Sequence, residues 1–498
     1  MIKPPFLPIV YVRGYAGTQS AVEDAVADPY MGFNIGATKF RQRWTGDIGR
    51  HIFESPLVRL MKDYDYKDVF VDGQESFDSR RLPARSVWIY RYYEPVSKDL
   101  AQGERPEIED YARGLADFLQ RLRAAMAGST KRAQRGFKVY LVAHSMGGLV
   151  VRAYLQNIAP AMAAAGGDPV AADKVFTYAT PHGGIDFRLI GNVPGFLQFH
   201  NVDNFNAKRM REYLAIRGRN KPVRALDGHF DAARFFCLIG TNSRDYRVLY
   251  GLSSAAVGPL SDGLVQIRNA YVENSPRAFV HRSHAGHYGI VNSEEGYQNL
   301  VRFFFGDVRV DGYLDIDTIT LPDRVRREKE SGKQVRASYH VEVVVRTQGA
   351  NWDMHRRLVS EESAIFCDYA TYVRGKKLVH LFSSFLSKKE IATRGKRTMG
   401  FALELGVLVP EYEVDGWLRA DRHFAGGYIF RDKLNLQLAM DKQGVRMRYG
   451  WDSELPNEAA EQASLFKDEA CWICELPVET HADPGIRARL RLKASQWK

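Results

Sequence analysis

The chain has 498 residues, 45% hydrophobic and 12% aromatic, with a net charge of +11 and a pI near 9.3. That length fits two or three domains rather than one, and the composition excludes collagen-like and broadly disordered chains. The basicity favours anionic surfaces as partners, but no helix-turn-helix, zinc-finger or RNP pattern accompanies it, so nucleic acid is not expected. From Arg309 onward 31 Lys and Arg stand against 28 Asp and Glu, so most of the surplus lies in residues 1–308. Four cysteines (Cys237, Cys367, Cys471, Cys474) do not make a disulfide scaffold. The pair Cys471-Trp472-Ile473-Cys474 has redox or metal spacing but no second pair and no thioredoxin-like setting, so it reads as structural cysteines in a strand. Met1-Ile2-Lys3-Pro4-Pro5 opens no signal-peptide h-region, and no apolar stretch reaches about 20 residues. The expectation is a protein made in the cytoplasm, with secretion independent of a signal peptide left open.

In chain order, Ile9-Val10-Tyr11-Val12 predicts a buried strand that leaves into the loop Arg13-Gly14-Tyr15-Ala16-Gly17. Trp44, Ile48, Ile52, Phe53, Leu57 and Leu60 have helix-like spacing over residues 40–64, and residues 65–85 read as a loop. Residues 86–93 predict a strand. Pro106 to Met126 predicts an amphipathic helix with Ile108, Tyr111, Leu115, Phe118, Leu119 and Leu122 on one face. Strands follow at 139–142, 174–179 and 235–240, and a helix at 293–305 with Ser293 as its N-cap. Residues 185–234 form a long insertion between two of these strands, the kind of excursion that serves as a lid or cap. Strands alternating with helices imply a mostly parallel, doubly wound α/β sheet. Beyond about residue 308 the runs at 339–345, 401–407, 434–438 and 486–493 are β-rich or alternate strictly, which predicts an all-β, sandwich-like domain. Residues 322–334 read as a loop or linker. The expected domains are therefore 1–308, with the insertion 185–234, and 309–498.

The most informative segment is Ala143-His144-Ser145-Met146-Gly147, set between an apolar strand and the helix-forming run from Gly148 to Leu155. Small residues around a serine at such a junction let the backbone bend sharply and lift the hydroxyl above the sheet. Ala143 stands where glycine is usual. A serine needs a base to become a nucleophile, and the base needs an orienting acid; on a strand–turn–helix serine the acid and then the histidine follow in sequence. Asp262, in Ser261-Asp262-Gly263, is the expected acid, with Asp245 as fallback. His281, His284 and His287 supply the base. His287, six residues before Ser293, is preferred, and His284, nine before it, is the alternative. The three lack acidic or thiolate companions at zinc spacing, so no metal is expected. His144 and His182 read as shaping the site by hydrogen bonds. The oxyanion donors are expected to be the backbone N–H groups of Met146 and Tyr15, with Gly14 allowing close approach of the loop.

With these residues assembled, the chain resembles the α/β-hydrolase superfamily, and within it the lipase group that includes GPI inositol-deacylase-like, lecithin:cholesterol acyltransferase-like and bacterial lipases. The segments that carry the likeness are Pro8–Gly17, Ala143–Gly148, Ala179–Gly184, Ser261–Val265 and the His287 loop, within about residues 5–308. Arg13 departs from the histidine usual before the loop glycine, and either brings a cation toward an anionic head group or packs on the surface. The resemblance implies ester cleavage through an acyl-enzyme: Ser145 attacks, the histidine moves the proton, Asp262 orients it, and water deacylates, with no cofactor.

Two substrate classes fit. A lipase or phospholipase suits the apolar insertion (Phe187, Leu189, Ile190, Val193, Phe196, Leu197, Phe199, Phe205), unless those side chains form an ordinary packed cap. A soluble carboxylesterase or acyltransferase is the alternative. A non-catalytic lipase-like binding protein is a third reading, opposed by the intact serine, acid and histidine. Lipid or ester, an anionic membrane surface and a protein bound through the C-terminal β domain are the expected partners. The row Arg487, Arg489, Arg491, Lys493 is one candidate contact, or else the charged face of an edge strand.

Overall fold

The computed structural model describes all residues except 1–4, 15–18, 44, 72–73, 78–81, 99–105, 186–201, 219, 246–259, 287, 376–377, 392–397, 416–421, 442–443, 455 and 457. The chain divides into two compact units, Met1–Arg277 with Arg282–Leu300, and Ala278–His281 with Val301–Lys498. The division falls inside a helix rather than at 308/309, and the short strand Arg277–Val280, unanticipated from sequence, straddles it.

In the first unit the strands are β1 (Ile9–Val12), β2 (Ala37–Gln42), β3 (Ile48–Phe53), β4 (Lys67–Asp68), β5 (Ser86–Tyr90), β6 (Lys138–His144), β7 (Ala171–Tyr178) and β8 (Phe235–Gly240). Six of them form one parallel sheet in the order β8-β7-β6-β1-β5-β4. The chain starts at β1, goes out to the edge strand β4, comes back to β5 beside β1, and then crosses to lay β6, β7 and β8 on the other side. This is the doubly wound α/β-hydrolase arrangement, with its switch point between β1 and β6, where open α/β sheets bind ligands at the carboxyl ends of their strands. Val12 stands beside Ala143 there, so the loop after β1 and the turn after β6 leave the sheet side by side. Apart from the short edge strand β4, the strands of this sheet are wholly or nearly wholly buried (β1, β5 and β8 throughout), which explains their apolar runs. The longer helices include α1 (Pro56–Tyr64), α2 (Ile108–Met126), α3 (Met146–Ala153) and α4 (Glu294–Phe305). On α2 the predicted face of Ile108, Tyr111, Leu115, Phe118, Leu119 and Leu122 is the buried one.

Residues 40–64 are helical only from Pro56. Before it, β2 and β3 form an antiparallel hairpin, because Gly46 turns the chain with φ +89° and the β-branched Ile48 and Ile52 favour extended backbone. Ser55 caps α1 by accepting the Val58 N–H at 3.2 Å. Most of the apolar insertion stretch, Phe187 to Phe199, lies outside the described residues; Phe205 is buried, and a short helix follows at Ala207–Tyr213.

The second unit is a β sandwich. One antiparallel sheet runs Leu378–Leu386, Val308–Ile319, Ile486–Gln496, Cys471–Glu479, Leu465–Asp468. The other is built on Val335–Thr347, Met399–Val414, Arg422–Asp441 and Gly444–Trp451. Alternate residues of both sheets, among them Val310, Leu490, Leu492, Val343, Leu403 and Leu436, share one core. Two expectations change. Residues 323–330 are a helix, polar nearly all round with only Val325 buried, so no apolar period announced it. The strand holding Arg487 to Lys493 is central, not an edge. Arg489 and Arg491 are engaged by Asp315 and Glu475 of the neighbouring strands, and Lys493 lies over Tyr313. Cys471 and Cys474 share one strand, three residues apart and hence on opposite faces, and are free thiols. Among the described residues no helix is long and apolar enough to cross a membrane, and no group of three or more His, Cys, Asp or Glu is arranged to hold a metal ion.

Candidate active site

Ser145 occupies the turn between β6 and α3 with φ +52° and ψ −127°, a conformation that costs a non-glycine residue about 1–3 kcal/mol. Three hydrogen bonds hold it there. Its N–H donates to the Tyr178 carbonyl at 2.9 Å, and its carbonyl accepts from Gly148 N–H at 3.0 Å and Thr180 Oγ1 at 2.9 Å. The neighbours have no room for side chains. A Cβ on Gly147 would lie 2.3 Å from the Arg13 carbonyl oxygen, and one on Gly14 would lie 2.7 Å from Ser145 Cβ and 2.8 Å from His144 Nδ1. The β1 loop is thus pressed onto the nucleophile turn, and Gly14 is what permits it. Gly14→Ala is expected to leave circular dichroism unchanged while lowering kcat by about 100-fold, because a shift of even an ångström misaligns the serine; an unchanged kcat would show that the contact is slack.

Ser145 Oγ stands 2.9 Å from His284 Nε2, and His284 Nδ1 stands 2.9 Å from Asp262 Oδ2. With the imidazole neutral, Nδ1–H donates to the carboxylate and Nε2 accepts from the serine hydroxyl. Asp262 Oδ1 accepts the N–H groups of Leu264 and Val265 at 3.0 and 2.7 Å, and the His284 N–H donates to the Asp262 carbonyl at 2.9 Å. All three side chains are buried. The seat beside the serine is therefore filled by His284, the alternative in the sequence reading; the preferred His287 lies outside the described residues, as does Tyr15. Met146 is the first residue of α3, where the N–H has no intrahelical acceptor. Asp245, the fallback acid, is exposed and accepts from Asn242 at 2.6 Å, while the carboxylate on His284 Nδ1 is that of Asp262.

His144 Nε2 donates to the His284 carbonyl at 2.9 Å, and the two rings lie 5.1 Å apart. Burial, then the neighbouring His284, lowers the His144 pKa to about 3, so it is a neutral brace rather than a base. His182 is also kept neutral by burial and then by the Arg152 and Arg224 cations, and its Nε2 meets Thr177 Oγ1 at 3.1 Å. Sequence reasoning missed Arg152. This fully buried guanidinium on α3 donates to the carbonyls of His182, Val223 and Ala225 at 2.8–3.0 Å and ties the nucleophile helix to two loops. A basic residue inside an otherwise apolar helix run was its one signal. Arg13 donates to the Met31 carbonyl at 2.8 Å, the packing alternative of the sequence reading.

The fold and this constellation define an α/β hydrolase scaffold carrying a serine–histidine–aspartate array. Neither a scan of protein-family models nor a search of curated proteins returned a match. Among solved structures the chain is similar to a "putative cell surface hydrolase" from Lactobacillus plantarum WCFS1 (12% identity, 60% of this chain and 91% of that one covered, TM-score 0.26). It is also similar to phospholipase PlaB from Legionella pneumophila (11% identity, 85% and 91% covered, TM-score 0.33).

Proposed function

We propose that the protein is a serine hydrolase that cleaves carboxylic esters of lipids. The observation that carries this reading is the unbroken run Ser145–His284–Asp262, two contacts of 2.9 Å, on a strained turn at the switch point of the sheet. Ser145 attacks the ester carbonyl as His284 takes its proton. The base is thus assigned to His284 in place of His287. The oxyanion is met by the Met146 N–H and, from the β1 loop, the Tyr15 N–H. His284 then gives its proton to the leaving alcohol, and Asp262 stabilises the imidazolium between the two transfers. Water attacks the acyl-enzyme with His284 again as base. Lipid is favoured over a small soluble ester by the apolar composition of the 185–234 insertion and the basic surplus of residues 1–308.

The test is incubation of the protein and Ser145→Ala with mixed phospholipid vesicles and with short-chain p-nitrophenyl esters. Fatty acid released from vesicles only when Ser145 is present is the expected result. Cleavage of the short esters alone would make the protein a soluble esterase, and inactivity on both with a folded protein would leave the binding-protein reading.

A further inference from the structure

We infer that the β2–β3 hairpin docks the protein on an anionic phospholipid bilayer. Ten large hydrophobic side chains are exposed among the described residues, and four of them, Ile35, Phe40, Ile48 and Ile52, fall between residues 35 and 52. The other six lie far apart along the sequence, and single exposed apolar residues are ordinary for a protein surface; four within one hairpin segment are not. In the hairpin register Thr38 faces Ile52, Phe40 faces Arg50 and Gln42 faces Ile48. Alternation along each strand therefore puts Phe40, Ile48 and Ile52 on one face, and they are 53%, 71% and 69% exposed.

The charge around this face selects the occupant. Residues 35–53 carry Lys39, Arg41, Arg43 and Arg50 against the single acid Asp47, whose carboxylate accepts from Thr45 Oγ1. Arg50 lies on the apolar face itself, opposite Phe40. Apolar side chains interleaved with guanidinium groups suit a bilayer with anionic head groups, where the first enter the acyl boundary and the second meet phosphate. A second copy of the same face would bring like charges together.

The root of the hairpin is fixed to the catalytic loop. Ala37 and Thr38 are buried, and Lys39 Nζ lies 2.5 Å from Glu295 Oε1. The other oxygen of that buried carboxylate accepts from Arg282 at 2.9 and 3.1 Å, two residues before His284. Directly after the hairpin, Arg59 of α1 pairs with Glu294, and Asp63 accepts from Tyr297 at 2.7 Å. A hairpin seated in lipid would thus hold the His284 segment close to the surface from which substrate comes. The inference deepens the lipid reading, but its test measures binding and not turnover, so the two can fail separately.

The experiment is co-sedimentation of full-length Ser145→Ala, which removes the proposed nucleophile, with vesicles of phosphatidylcholine alone or with phosphatidylglycerol added. Binding to the anionic vesicles that weakens with salt is expected. Phe40→Ser/Ile48→Ser/Ile52→Ser should lower the partition coefficient by at least about tenfold. Arg43→Gln/Arg50→Gln should lower it by about 10–30-fold. The charge variant changes only exposed positions and keeps the test alive if the apolar variant does not fold. Undiminished binding in both variants would overturn the inference, and so would loss of a dimer on size exclusion with vesicle binding intact. Hairpin-dependent binding by a protein that releases no fatty acid would sustain it while the proposed activity fails.

Discussion

Ser145→Ala and His284→Ala are each expected to lower kcat/KM on any ester turned over by about 10⁴–10⁶-fold, whereas His287→Ala stays within about tenfold of wild type. The size follows from the serine and histidine acting as one unit: an alanine at either leaves no activated nucleophile, so the double variant should be no worse than the worse single one. Asp262→Asn should cost about 10⁴-fold, because Asp262 Oδ2 is what fixes the Nδ1–H tautomer that frees Nε2 for the serine proton. His144 adds to this logic. Held neutral, it bonds to the His284 carbonyl without placing a second positive charge beside the imidazolium formed during acyl transfer. Steady-state kinetics on a p-nitrophenyl ester decide the matter. A large loss in His287→Ala with activity retained in His284→Ala would return the base to His287 and make the 2.9 Å Ser145–His284 contact incidental.

The two histidines also mark where the sequence stops being legible. The strands and the nucleophile turn could be read because continuous apolar runs such as Val139–Val142 end at small residues, and both signals are local. Which histidine faces the serine is set by tertiary bonds. His284 N–H is tied to the Asp262 carbonyl, Asn242 N–H to the Arg282 carbonyl, and Ile290 N–H to the Ser283 carbonyl, so the loop register is independent of the count back from Ser293. The hairpin failed for another reason. Trp44, Ile48 and Ile52 lie four apart, a spacing that fits a helix as well as one face of a strand, and only Gly46, Gly49 and the β-branching of Ile48 and Ile52 argued otherwise. The arginine row of the last strand was visible as an alternation, but the carboxylates that engage it come from Asp315 and Glu475, far away in sequence. Alternation tells which residues share a face and not what stands opposite.

Acidification from about pH 7 to about pH 5 is expected to destabilise the unit that carries the site, before carboxylates in the ordinary range begin to titrate. His182 is the main source. Burial, then Arg152 and Arg224, lowers its pKa well below 6.5, so the folded protein leaves it neutral where the unfolded chain binds a proton. With more protons on the unfolded state, stability rises with pH: the contribution is complete above about 6.5 and is lost progressively as pH falls toward the folded pKa. One such group gives a limiting slope of about 1.4 kcal/mol per pH unit. His144, lowered to about 3, acts in the same direction over this range. Urea unfolding at pH 7, 6 and 5 measures the slope. His182→Asn costs stability at every pH by changing a fully buried side chain, yet it should flatten the pH 7–5 slope by about 1 kcal/mol per pH unit on average, rising toward the limiting value of about 1.4 kcal/mol per unit near pH 5, since asparagine takes up no proton. A variant as acid-sensitive as the wild type would show that His182 is not the group taking up the proton on unfolding. A flatter slope would tie the acid limit of the fold to the loop that Arg152 fastens to the nucleophile helix, where protonated His182 would set a second cation beside the guanidinium.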